Sequence, residues 1–193
     1  MALVSDRDSK AFNEAVETRK TGKIRFGFWF AKNWFLERLA STFPIPSWRT
    51  LFHRWRGVRI GENVYIGYDV IFDRVYPELI TIEDYAVIAD RCIISTHSGG
   101  ATLLNDFYPR EVKPVRIGRG AWLSPACIVI MGVEIGELSV IGTGAVVNRS
   151  IPPRSVAVGV PAKVIRTLDV EEPGVEGARP VPGDEENRDP VAS

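Results

Sequence analysis

The chain has 193 residues, 45% of them apolar, and its 24 basic and 24 acidic side chains leave no formal net charge. That length suits one domain with a core of its own, and balanced charge offers no long-range field to draw in a polyanion, which argues against nucleic acid as a partner. Cys92 and Cys127, in no CxxC pair, exclude a disulfide framework or a cysteine-rich zinc site and read as core filler.

Met1 to Lys10 is not a basic stretch followed by an apolar one, so it does not read as a signal peptide, and a cytoplasmic location is expected. Lys10 to Lys20 reads as a polar helix, Thr21-Gly22 as a break, and Ile24 to Ser41 as an aromatic-rich helix. Arg25, Lys32, Glu37 and Arg38 interrupt that helix, so it lacks the run of about 18 apolar residues a membrane span needs. After Pro44-Ile45-Pro46, Ser47 is the expected N-cap of a short helix. Its spacing puts Trp48, Leu51, Phe52 and Trp55 on one face and Arg49, His53, Arg54 and Arg56 on the other. Residues 1–56 are thus read as a helical, aromatic cap for the segment that follows. A basic, aromatic, amphipathic helix also suits peripheral contact with a membrane surface or a membrane-bound partner.

From residue 57 the pattern changes to a six-residue period. Ile117, Leu123, Val129, Ile135, Ile141 and Val147 keep one register, as do Ile60, Ile66 and Phe72, and then Ile82, Ile88 and Ile94. Four places after most of them stands a small or β-branched residue: Val64, Val70, Ala86, Cys92, Ala121, Cys127, Val133, Ser139 and Ala145. Glycine often follows the aliphatic directly, as in Ile60-Gly61 and Ile117-Gly118, and is expected to serve a turn with unusual backbone angles. A six-residue step is a short strand and a tight corner, and three steps close a triangular coil whose aliphatics stack on those of the next coil. Ordinary alternating strands need period two instead. The fold expected is mainly β, a parallel β-helix over 57–166 with an N-terminal helical segment. The register fails between Ile94 and Val115, where His97-Ser98-Gly99-Gly100 opens a polar loop, 97–114, that closes at Lys113-Pro114. Residues 167–193 read as a disordered tail, because Glu171 to Ser193 is rich in Glu, Asp, Pro and Gly with no large apolar residue beyond valine.

These residues resemble the hexapeptide-repeat acyltransferases, most closely the maltose and galactoside type of sugar O-acetyltransferase. The resemblance covers about Gly57 to Arg166 and is most specific in Ile141-Gly142-Thr143-Gly144-Ala145-Val146-Val147, Ile151-Pro152-Pro153 and Gly159-Val160-Pro161-Ala162-Lys163. It implies a left-handed coil, where the general rule for parallel crossovers is right-handed. It implies a homotrimer with active sites between subunits, acetyl-CoA as acyl donor, no metal, and transfer to a hydroxyl of a sugar or a polysaccharide precursor.

Of the two histidines, only His97 stands at the root of an extruded loop, and the resemblance makes it the general base, with the path through Pro114 to Trp122 matching the family's pattern. By the same resemblance Trp122, Ser124, Gly142, Thr143, Gly144, Asn148 and Arg149 line the donor's pantetheine arm, and Lys163 and Arg166 meet its phosphates. Pro125 falls where the family helps to bind the thioester oxygen and has no N–H to give, so either Ser124, through its hydroxyl or its own N–H, is the substitute donor or that donor is missing. Asp73 falls near the family's acceptor-holding position, and Tyr108, with Asp106 and Arg110, is a further candidate to face the acceptor. A non-sugar hydroxyl acceptor, such as serine or an antibiotic, remains open, as does a catalytically idle scaffold. The zinc carbonic anhydrases of this shape need three histidine ligands, and the chain has two histidines.

Overall fold

The computed structural model describes residues 22–99 and 106–169. The expected helix over Lys10–Lys20 and the expected tail beyond Asp169 lie outside the described residues, whereas Thr167, expected to begin that tail, ends the last strand. Two helices, α1 (Lys23–Thr42) and α2 (Pro46–Arg56), lead into the repeat. The first coil holds β1 (Arg59–Ile60), β2 (Tyr65–Ile66) and β3 (Ile71–Phe72). The second holds β4 (Ile80–Ile82), β5 (Val87–Ile88) and β6 (Ile93–Ile94), and the third β7 (Val115–Ile117), β8 (Trp122–Leu123) and β9 (Ile128–Val129). The fourth holds β10 (Glu134–Ile135), β11 (Val140–Ile141) and β12 (Val146–Val147). Two closing strands follow, β13 (Ser155–Val158) and β14 (Lys163–Thr167).

Each side of the triangle is a parallel sheet, in the orders β1-β4-β7-β10, β2-β5-β8-β11-β13 and β3-β6-β9-β12. The register pairs aliphatic with aliphatic: Ile66 with Ile88, Ile88 with Leu123, Leu123 with Ile141. These side chains, with Phe72, Ile82, Ile94, Ile117, Val129, Ile135 and Val147, form one continuous buried column, into which Ala86, Cys92, Ala121, Cys127 and Ala145 pack as the small partners. The small positions follow from geometry, because three sides close on one axis and cannot all present large side chains there. At the far end β14 turns back antiparallel on β13 and ends the stack.

The glycines after the aliphatics do a different job from the one their position suggests. Positive φ falls two places later, at Asn63, Asp69, Tyr85, Arg91, Gly120, Ala126, Gly132, Leu138 and Gly144. The glycine directly after the aliphatic is there for close approach: a Cβ on Gly118 would lie 2.6 Å from the Glu137 nitrogen and 2.8 Å from the Ile135 carbonyl oxygen of the next coil. Small residues at this position let successive corners touch.

The helical cap also departs from its sequence pattern. Helix α2 starts at Pro46, one residue before the expected N-cap Ser47, because proline gives up only an N–H that the first turn leaves unpaired anyway. It is the basic face rather than the aromatic one that meets the first coil. Arg49, His53 and Arg56 are buried against the first coil, whereas Trp48 and Trp55 stay 44% and 53% exposed. The open end of the coil offers bare carbonyls as well as apolar side chains, and guanidinium groups answer that need. Arg49 Nε donates to the Ile66 carbonyl and Nη1 to the Phe43 carbonyl, both at 2.9 Å, while its guanidinium lies 4.1 Å from the centre of the Tyr68 ring. Phe52 packs with Leu36, Leu39, Ala40 and Phe43 between the helices.

Candidate active site

Where the first coil turns from β3 toward β4, Asp73 folds its carboxylate inward. Its Oδ1 accepts the N–H groups of Val75 and Tyr76 at 2.8 and 3.0 Å, forming a local turn that absorbs the extra residues between Phe72 and Ile82. Its Oδ2 accepts the Thr96 N–H and hydroxyl, both at 2.9 Å, and His97 Nδ1 at 2.5 Å. Asp73, expected to hold the acceptor, is therefore fully occupied beneath the histidine, with its side chain buried and that of His97 27% exposed. Burial alone would push the Asp73 carboxyl up, but the hydrogen bonds from His97 and from the Tyr76 and Thr96 N–H groups outweigh it and hold the group well below the usual carboxylate range.

A carboxylate has no proton to give, so Nδ1 of His97 carries the hydrogen, and Nε2 is the ring nitrogen left to act as a base. The ring is held edge-on to Tyr76, with centroids 5.7 Å apart. The loop root is closed by backbone: the Lys113 N–H donates to the Thr96 carbonyl at 2.8 Å and the Ser98 N–H to the Glu111 carbonyl at 2.9 Å, so His97 and Val112 bridge antiparallel. Tyr108 lies farther out in this loop, 60% exposed.

The remaining candidates fall at other places on the triangle. Ser124 follows β8 and Gly142-Thr143-Gly144 follows β11, so both occupy the corner between the second and third sides. The Gly144 N–H donates to the Pro125 carbonyl at 3.0 Å, stacking one corner on the other. The Ser124 N–H donates to the Ile141 carbonyl at 2.9 Å and is consumed, which leaves only its hydroxyl of the two donors expected there. Trp122 is 47% exposed on the second side. Thr143, Gly144, Asn148 and Arg149 are exposed, as are Lys163 and Arg166 on β14. Nothing lies within 4 Å of where a Cβ of Gly144 would be, so the corner offers open backbone. His97, Asp73, Asn148 and Arg149 follow third-side strands and belong to the next corner. Two shallow clefts, about 410 and 450 Å³, lie along the first side, around Arg116 and Arg119, and touch none of these residues. Among the described residues no cluster of three metal-ligating side chains occurs.

No protein-family model matches the chain. A galactoside O-acetyltransferase of Escherichia coli is 32% identical over 123 residues, covering 58% of this chain and 55% of that protein. A Staphylococcus aureus protein provisionally named an acetyltransferase is 39% identical over 116 residues, covering 60% of this chain and 58% of that one. A hexapeptide-repeat acetyltransferase of Vibrio cholerae, solved with acetyl coenzyme A, superposes with a TM-score of 0.64 at 22% identity over 76% of this chain and 90% of that chain. The chain is similar in sequence to these acetyltransferases and in fold to the hexapeptide-repeat one. It shares their left-handed β-helix, and it spans a little over half the length of the two curated relatives.

Within this hexapeptide-repeat frame, sequence reasoning missed the support under the dyad. Arg56 Nη2 donates to the carbonyls of Phe72 and Asp73, each at 3.3 Å, and its Nη1 to His53 Nδ1 at 3.2 Å. Glu37 of α1 lies 3.7 Å from Arg56 and takes Arg74 Nε at 2.9 and 3.1 Å. The signal available was Glu37 itself, the one acid of an otherwise aromatic and basic helix. A charge on the covered side of a helix asks for a partner.

Proposed function

We propose that the chain transfers an acetyl group from acetyl-CoA to a hydroxyl of a sugar or saccharide precursor, with His97 as general base. The observation that carries this reading is the hydrogen bond from His97 Nδ1 to the buried Asp73 carboxylate. It fixes the tautomer and aims Nε2 outward, ready to take the proton of an acceptor hydroxyl as its oxygen attacks the thioester carbonyl. The new C–O bond forms as the C–S bond breaks, and the imidazolium returns its proton to the departing thiolate, while Asp73 stabilises the transient positive charge. Asp73 acts through the histidine and is a positioning residue.

Acetyl-CoA as donor is supported by the acetyl coenzyme A bound to the Vibrio protein, and a saccharide acceptor by the E. coli relative's galactoside activity. Open backbone at Thr143 and Gly144 suits an extended pantetheine arm, and the exposed Lys163 and Arg166 suit phosphate. The donor-binding corner and the His97 corner are different edges of one triangle, so a neighbouring copy is needed to bring one over the other; we read the working unit as a homotrimer with sites between subunits.

The test is free-thiol release from acetyl-CoA across mono- and oligosaccharides, with His97→Ala alongside. Acceptor-dependent release that falls by about 100-fold or more in the variant supports the reading. Acetyl-CoA binding with turnover only on a non-sugar hydroxyl overturns the acceptor class, and absence of acetyl-CoA binding overturns the enzyme.

A further inference from the structure

Helix α1 is apolar on both of its faces. Phe26, Asn33, Leu36, Glu37 and Ala40 form the covered side, as expected for a cap. Directly opposite, at i, i+4, i+7 and i+11, stand Ile24, Phe28, Ala31 and Phe35, all exposed, with Ile24 79%, Phe28 76% and Phe35 57% accessible. Trp34 beside them is 56% exposed. A helix apolar all round is a helix covered all round, and among the described residues nothing covers this stripe.

The charges around the stripe identify what does. Lys23, Arg25, Lys32 and Arg38 are exposed on α1, and Arg54 on α2; Glu37, the only acid of the two helices, is buried in its pair with Arg74 and Arg56. The exposed aromatic stripe is thus flanked on both sides by cations alone. A second copy seated face to face would oppose lysine and arginine to lysine and arginine. The helix is also too charged to cross a bilayer, and no described helix is long and apolar enough to do so. An apolar stripe with tryptophan at its border and cations along its edges matches an interface that is apolar inside and anionic at the surface.

We propose that α1 lies flat on an anionic lipid bilayer, with Ile24, Phe28 and Phe35 inserted among the acyl chains and Lys23, Arg25, Lys32 and Arg38 at the headgroups. The inserted stripe faces away from the coil, so docking leaves the cap's contacts with the first coil unchanged. The inference does not depend on the transfer chemistry, since none of its residues is placed in the dyad or the donor corner.

The experiment is sedimentation of the full chain with vesicles of phosphatidylcholine alone and with added phosphatidylserine. Binding to the phosphatidylserine vesicles is expected, weakening as salt is raised and falling by about tenfold or more in Phe28→Glu/Phe35→Glu. The same variant should keep the wild-type thermal melt and acetyl-CoA binding, which separates loss of docking from loss of fold or of the donor site. Failure of the wild type to bind anionic vesicles overturns the proposal. So does equal binding by the variant, and so does a drop in the solution mass of the variant without vesicle binding by the wild type, which would assign the stripe to a second copy. Deletion of residues 1–21 that first creates vesicle binding would assign it to that segment instead.

Discussion

The single contact between His97 and Asp73 sets what each residue is able to do. Because Asp73 is held ionised and spends both oxygens on five donors, its part in the proposed transfer is to orient His97 and stabilise the charge that forms on it. Asp73→Asn can turn its amide N–H toward Nδ1, which then accepts and forces the proton onto Nε2, the wrong tautomer for a base. Turnover should fall by roughly 100-fold or more with acetyl-CoA affinity unchanged, read as kcat against Kd. The carboxylate also has a signature in stability. Its folded-state pKa lies below the unfolded value near ~4, so its contribution is complete above about pH 4 and is lost as pH falls toward and through the folded value. His53 behaves in a separate window. It is fully buried, and burial first, then the Arg56 and Arg49 charges, hold its pKa well below the ordinary imidazole range. Arg56 donates to its Nδ1, so the ring is neutral. Its contribution is present above about pH 6.5 and lost as pH falls below that value. Thermal melts from neutral to acid pH should therefore show a flatter slope below about pH 6.5 in His53→Asn, and below about pH 4 in Asp73→Asn.

Among the elements, the corners carry the constraints. Gly118→Ala should cost about 1–3 kcal/mol in denaturant unfolding, because its Cβ meets backbone of the next coil that has no flexible end to give way. Gly144→Ala faces no neighbour within 4 Å, and only its φ of +69 penalises a side chain, at about 1–2 kcal/mol. The same Gly144 change narrows the bare backbone proposed for the donor, so acetyl-CoA affinity should drop there and stay unchanged in Gly118→Ala. Helix α2 teaches the complementary lesson. Its two faces were legible from spacing, but which face turns inward was not: a helix over a sheet presents apolar residues to the core, whereas one over the open end of a coil meets the carbonyls of Ile66, Phe72 and Asp73. Arginine and a neutral histidine are then the better partners.

At the scale of the molecule, stability passes from coil to coil, and the two proposed halves of the site lie at different corners. Light scattering on the purified protein should give three times the chain mass of 21.5 kDa, and the mass should persist on dilution if the site is shared between copies. The coil was legible in the linear pattern because its period is local: a strand and a corner every six residues place each aliphatic of Ile117 to Val147 at the same depth, whatever surrounds it. His97 was legible for a related reason, as the residue at which that period breaks. Chain order alone could not reveal that Asp73 passes under His97, since 24 residues and a full turn separate them and only stacking of the second coil on the first brings Oδ2 to Nδ1. Nor could it reveal that Ser124 spends its N–H on Ile141, or that Arg56 supports Asp73 from a helix, because each of these partners is chosen by what lies one coil above or below. Local periodicity determines the shape of each coil; contact between coils, and between the first coil and its cap, determines which polar groups remain free for chemistry.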